Sequence, residues 1–423
     1  MTNQPQPPLP PAPPQGGASP LRPLAGQAET NQPQQEAPLA EQLKPESTAA
    51  SQPQKPTSSV ENLHLDHLLG MSVEMGASDL HFSVDTPVRI RVNGTLTPLL
   101  YNNYRLIATE DQSWRLLTQV LDSERIERLK HDHELDFAYS PASVDARFRC
   151  NYFYAQGTLR AVFRQIPTNI KTIDQLGLPE VCRVLSQYPR GLVLVTGPTG
   201  SGKSTSLAAM IDEINRTRDE HILTIEDPVE FVHRSKRSLI NQREVGPDTH
   251  SFANALRAAL REDPDVILVG EMRDPETISL GVTAAETGHL VFATLHTQDA
   301  SQTMDRLIDS FPPDQQDQIR TQLSLTLQGV ISQQLIPKKD GSGRVVATEI
   351  LIANDATRNY LREGKTEQLY SVMQTGGQQG MMTMESCLAG MVRKGIISEQ
   401  KAKEVASKPD EMLRALGMNN GSV

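Results

Sequence analysis

A chain of 423 residues with a formal net charge of −10 has room for two or three domains and lacks the overall basic balance that general nucleic-acid binding requires. Cys150, Cys182 and Cys387 are far apart with no C-x-x-C among them, which argues against a disulfide framework or a structural zinc site. No apolar run approaches the roughly 18 residues that cross a bilayer, and the N-terminus has no apolar signal core, so the chain reads as soluble and cytoplasmic.

Residues 1–60 hold 14 of the 29 prolines, ten glutamines and no aromatic residue. Such a stretch buries too little apolar area to offset the entropy of ordering it, so residues 1–59 are expected to form a disordered tail with local polyproline II character. Folded sequence is expected from residue 60. Leu63, Leu65, Leu68, Leu69, Met71 and Val73 space out a helix ending near Gly76. Short strands are expected at 79–83, at 88–92 and around Leu96, with Asn93-Gly94 as a hairpin turn. Helical spacing returns through 110–133, and 136–139, 146–154 and 159–166 read as three more strands. Together these make a small α+β module over residues 60–166. Residues 167–189 read as a linker containing one short helix.

Within the module, Arg147 and Arg149 alternate with Phe148 and Cys150, so one face of a strand carries guanidinium groups and the other is apolar. Arg160 and Arg164 sit on the next strand. The residues alone leave two readings open. One is a solvated sheet face, and the other is an arginine supplied to a neighbouring subunit's γ-phosphate.

A second domain, with strands and helices alternating, is expected over residues 190–350. Leu192–Thr196 is a short apolar, β-branched run. It is followed by Gly197, Pro198, Thr199, Gly200, Ser201, Gly202, Lys203, Ser204 and Thr205, which fit G-x-x-x-x-G-K-[ST] at every fixed position. The glycines allow a tight turn whose N–H groups point inward, and the following helix N-terminus completes an anion hole. Lys203 reaches the β- and γ-phosphates, and the Ser204 hydroxyl holds Mg²⁺. Leu207, Met210, Ile211 and Ile214 then share one helix face.

Two further apolar strands end in carboxylates, at Glu226-Asp227 and at Glu271, and a third ends at His296, with His289 just before its start. Polar groups at strand C-termini are where open α/β sheets place ligand chemistry. Glu271 is the stronger candidate to polarise the attacking water, Asp227 is a candidate Mg²⁺ ligand, and His296 is placed to sense the γ-phosphate. Arg273, just past Glu271, offers positive charge in the same chain.

The segments TGPTGSGKST, TIEDPVEFVH (224–233), INQREVG (240–246), LREDPDVILVGEMRDPETI (260–278) and TAAETGHLVFATLHT (283–297) together resemble the secretion-ATPase superfamily, where they are termed Walker A, Asp box, Walker B and His box. The match looks closest to the retraction ATPases of type IV pili, the PilT family. The resemblance implies an α/β fold: a RecA-like P-loop NTPase domain preceded by a smaller PAS-like α+β domain, assembled as a homohexamer. It implies ATP and Mg²⁺ as cofactors. Glu226 becomes the Asp-box acid, Glu271 the catalytic glutamate, His289 and His296 the His-box pair, and Arg147, Arg149 and Arg160 a set acting in trans. It also implies work at the cytoplasmic face of the inner membrane, with membrane contact made through a pilus platform protein and no stable nucleic-acid partner.

The tetracysteine module usual in extension and type II secretion members does not occur in this sequence. Residues 356–363, ATRNYLRE, resemble the AIRNLIRE-like segment of retraction members and depart from it at Thr357, Tyr360 and Leu361. Residues 351–423 are expected to be helical, with amphipathic helices at 351–363 and 386–397.

Overall fold

The computed structural model describes residues 63–92 and 94–417; the expected tail over 1–59, Asn93 and residues 418–423 lie outside them. The first module opens with α1 (Leu65–Glu74), β1 (Asp79–Phe82), β2 (Arg89–Val92) and β3 (Thr95–Pro98). A small hairpin, β4 (Leu100–Tyr101) and β5 (Tyr104–Arg105), comes next and was not expected from the sequence. Its two-residue strands are too short to show an alternation.

The helical stretch expected over 110–133 is two helices, α2 (Glu110–Thr118) and α3 (Ser123–Asp132). The break follows from local capping. Thr109 and Gln112 form a capping box for α2, and the Asp122 side chain accepts from Arg125 N–H to start α3. β6 (Glu134–Tyr139), β7 (Arg147–Ala155) and β8 (Thr158–Ile166) complete an antiparallel sheet of order β3-β2-β1-β8-β7-β6. Its inner face packs Leu80, Ile90, Phe148, Cys150, Tyr152 and Phe163 against the helices. The outer face of β7 and β8 is the guanidinium face, where Arg149 and Arg164 are direct cross-strand partners. Arg164 is held by Asp79 at 2.9 Å.

The linker holds two short helices rather than one, α4 (Ile173–Leu176) and α5 (Val181–Ser186). Beyond it lie β9 (Gly191–Thr196), α6 (Lys203–Thr217), β10 (His221–Glu226), β11 (Leu239–Glu244), α7 (Phe252–Ala259) and β12 (Val266–Val269). They are followed by α8 (Pro275–Glu286), β13 (Leu290–Leu295), α9 (Ala300–Asp309), α10 (Gln316–Thr326), β14 (Leu327–Pro337) and β15 (Arg344–Ile352). The sheet order is β11-β10-β12-β13-β9-β14-β15, parallel throughout except for the β14–β15 pair.

The strand β9 is buried at every residue. Leu192 and Leu194 belong to one hydrophobic core and Val193 and Val195 to the other, as side-chain alternation on a sheet covered on both faces requires. The apolar stripe of α6 (Leu207, Met210, Ile211, Ile214) enters the second core.

The chain ends in α11 (Asp355–Glu363), α12 (Leu369–Thr375), α13 (Met384–Arg393), α14 (Glu399–Val405) and α15 (Pro409–Leu416). The helix expected from residue 351 therefore starts at Asp355. Leu351 and Ile352 continue β15 and pair with Val330 and Gly329 of β14. Asn354 then caps α11 by accepting from Thr357 N–H.

Candidate nucleotide site

The strands β9, β10, β12 and β13 are mutually parallel, so residues 197–205, Glu226, Glu271 and His296 all emerge at one edge of the sheet. There Thr199, Gly200 and Gly202 to Thr205, with Glu226, Glu271 and His296, line a cleft of about 420 Å³. That is within the range of sites for small organic ligands.

The loop between β9 and α6 is shaped by contacts that only glycine permits. Gly197 has φ +139°, and a Cβ there would stand 2.3 Å from the Gln333 carbonyl oxygen on β14. Gln333 supports the loop from behind, donating from Nε2 to the Ser201 carbonyl at 2.9 Å. Gly202, at φ +89°, is the N-cap of α6 and makes no side-chain cap. The first-turn N–H groups of α6 therefore face the cleft as anion donors.

Lys203 is only 8% exposed, and Nζ donates to the carbonyls of Gly197 at 2.8 Å and Pro198 at 3.2 Å. Burial lowers its pKa from the ordinary lysine value, against the pull of Glu271 and Glu230. Nζ lies 3.4 Å from His296 Nδ1, and His296 Nε2 lies 3.3 Å from Glu271 Oε1. One tautomer satisfies both contacts, with Nδ1 accepting from the ammonium and Nε2–H donating to the carboxylate. Glu271 also receives Arg273 Nη2 at 2.6 Å. Partial burial pushes the Glu271 carboxyl up, but Arg273 and His296 outweigh it and hold it below the usual glutamate value.

Glu226 has the opposite environment. Burial pushes its carboxyl up, against hydrogen bonds from Thr224, Gln242 and the Glu230 N–H. Asp227 follows in sequence and also lines the cleft, as do Ser204 and Thr205.

The remaining sequence candidates lie elsewhere. His289 precedes β13 and stands at the opposite edge of the sheet, about 20 Å along the strand from His296. Its Nδ1 lies 2.9 Å from the Ala284 carbonyl. It is not part of this chain's nucleotide cleft, because a residue before a parallel strand falls on the edge away from the ligand. Arg147, Arg149 and Arg160 are also absent from the cleft lining. Arg147 Nη2 donates to Glu244 of the same chain at 2.9 Å, and Arg160 Nη2 donates to Gln156 at 3.0 Å. Sequence reasoning passed over Leu335 and Arg344, from the β14–β15 hairpin, which form one wall of the cleft. It also passed over Gln242, which holds Glu226. The signal for Gln242 was weak because β11 alternates polar residues at the sheet margin and shows no apolar run.

The family model described as Type II/IV secretion system protein matches residues 54–419. The chain is 51% identical over 353 residues to the type IV pilus retraction ATPase PilT of Pseudomonas aeruginosa, covering 82% of this chain and 99% of that protein. It is 49% identical over 340 residues to the twitching motility protein of Neisseria gonorrhoeae, covering 80% of this chain and 89% of that one. A crystal structure of the pilus retraction motor PilT with bound ADP superimposes with a TM-score of 0.77 at 46% identity, covering 83% of this chain and 99% of the other. The fold is thus the RecA-like fold of the secretion ATPases, and the chain belongs to the PilT family of type II/IV secretion ATPases.

Proposed function

We propose that this protein is a motor that couples ATP hydrolysis to type IV pilus retraction. It works as a homohexamer against a platform protein at the cytoplasmic face of the inner membrane. The observation that carries the ATP chemistry is the linked set Lys203–His296–Glu271–Arg273 at the mouth of the P-loop. In this reading the loop N–H groups and Lys203 bind the phosphates, and Glu271 orients and accepts a proton from the attacking water. Arg273 and His296 hold that carboxyl below the usual glutamate value, so it is ionised at neutral pH. His296 spans the phosphate-binding lysine and the base, so loss of the γ-phosphate is felt at both.

Ser204 and Asp227 both line the cleft and suit Mg²⁺, which takes few protein ligands and completes its shell with phosphate and water. Bound there, the metal supplies charge neutralisation for the departing phosphate.

Assignment to retraction is supported by the identity to PilT and by α11. Arg358 of that helix anchors it to the end of α10 through the Ser324 and Leu325 carbonyls, at 2.6 and 3.1 Å. Thr357 and Leu361, two departures from the AIRNLIRE-like pattern, are fully buried, and Asn359, Arg362 and Glu363 remain on the exposed surface. The deciding experiment is pilus length and surface motility in a deletion strain. Long, non-retracting pili are expected, and cells without pili would instead make this an extension motor.

A further inference from the structure

Glu226 is held by a residue that does not itself line the cleft. Gln242 lies on β11 as the parallel register partner of Thr224 on β10. Its Nε2 donates to Glu226 Oε1 at 3.1 Å and to the Phe231 carbonyl at 2.9 Å, while its Oε1 accepts the His233 N–H at 2.7 Å. Thr224 Oγ1 donates to the same Glu226 oxygen at 2.7 Å, and the Glu230 N–H reaches Oε2 at 3.3 Å. One side-chain amide therefore ties the strand-end carboxylate to the 231–233 end of the segment that follows it. That segment carries Asp227, Phe231 and His233 into the cleft wall.

The chemistry of this position fits glutamine. Two donors and an acceptor are used at once, and the reach matches one residue across a parallel pair. Asparagine is a methylene short. Glutamate has no N–H to give and would set a second carboxylate against Glu226.

We infer that Gln242 is a positioning residue for ATP hydrolysis: it fixes the orientation of the Glu226 carboxylate and the 227–233 wall. The inference rests on the reading of Glu226 as a group that acts at the nucleotide. In the proposed function the phosphates are bound by Lys203 and the P-loop, which Gln242 does not contact, so loss of Gln242 should separate chemistry from binding.

The test is a double-mutant cycle in the full-length protein, with Glu226→Gln, Gln242→Ala and the pair, read as kcat, KM and affinity for a fluorescent ATP analogue. Gln242→Ala should lower kcat on the order of 10²-fold with analogue affinity within about threefold, as a misplaced group does. The pair should be no slower than Glu226→Gln alone, because residues acting through one group are not additive. Gln242→Glu, which keeps size and shape, should reproduce the kcat loss in a folded protein. Additive losses in the pair, an unchanged kcat in Gln242→Ala, or loss of fold in both Gln242 variants would each overturn the positioning role. A normal kcat in Glu226→Gln would instead remove the reading of Glu226 on which it rests, whatever Gln242 does.

Discussion

Arg147 on β7 donates to Glu244 at the end of β11 at 2.9 Å, joining the antiparallel module to the parallel sheet within one chain. Glu244 is buried and also accepts the Val229 N–H at 3.3 Å, so the contact reaches the turn that follows Glu226. A second tie, Arg234 to Asp145, crosses the same boundary at the surface.

Arg147→Ala should therefore destabilise the chain by about 1–3 kcal/mol, since it leaves a buried carboxylate short of its partner. Thermal unfolding measures this, and Glu244→Gln in the Arg147→Ala background should recover part of the loss. No change in Tm would show that the contact does not hold the module.

Arg149 and Arg160 make no contact with this chain's cleft, so any role at phosphate must come from a neighbouring subunit. Variants of either are expected to assemble and bind ATP but turn over slowly, because an arginine acting in trans is worth roughly 10³–10⁵ in rate. Mixing such a variant with Lys203→Ala subunits should restore partial ATPase activity, as some interfaces then pair an intact P-loop with an intact arginine. Mixed rings that stay dead despite proven subunit exchange would move the assignment to Arg273, which already contacts Glu271.

Glu271→Gln should retain ATP and slow hydrolysis by about 10²–10⁴-fold, the range for loss of a general base. Single-turnover chemistry separates the step from binding. If binding fails while chemistry survives, Glu271 serves the fold or the metal and the base must be sought at Glu226 or Asp227.

Stability should depend on pH through a group remote from the cleft. Glu349 on β15 is buried and accepts the Ala300 N–H, the first of α9, at 2.9 Å. Burial, with Asp299 and Glu385 nearby, pushes its carboxyl up to about 7 from an ordinary 4.5. The folded state then holds a proton that the unfolded state releases. Stability contributed by this group is full below the ordinary value and falls as pH rises toward 7, by up to about 3 kcal/mol. Glu349→Gln should flatten Tm between pH 5 and about 8 relative to the parent. Parallel Tm–pH curves for the two proteins would show that Glu349 titrates normally.

The parts of the site that could be read in advance share one property: each polar group ends a continuous apolar run. The runs at 192–196, 266–269 and 290–295 announce buried parallel strands, and geometry then fixes that Lys203, Glu271 and His296 meet. His289 was grouped with His296 by resemblance, although its place before the strand already puts it at the far edge. Gln242 was hidden because β11 is a margin strand whose side chains alternate between polar partners, leaving no apolar signature. The split of residues 110–133 into two helices depended on Asp122, a cap that spacing of apolar residues does not register. Leu351 read as helical because its periodicity is ambiguous in a short run, and only its pairing with Val330 makes it strand.

The full burial of β9 has a mechanical consequence. The P-loop grows from a strand that is buried at every residue, flanked by β13 and β14 and packed on both faces. Its amides should be among the slowest in the chain to exchange with deuterated solvent, with or without nucleotide. The phosphate seat then behaves as an anvil. Whatever stroke the motor delivers must arise from the outer walls moving onto it, at the 227–233 turn, at Arg273 and at the β14–β15 hairpin.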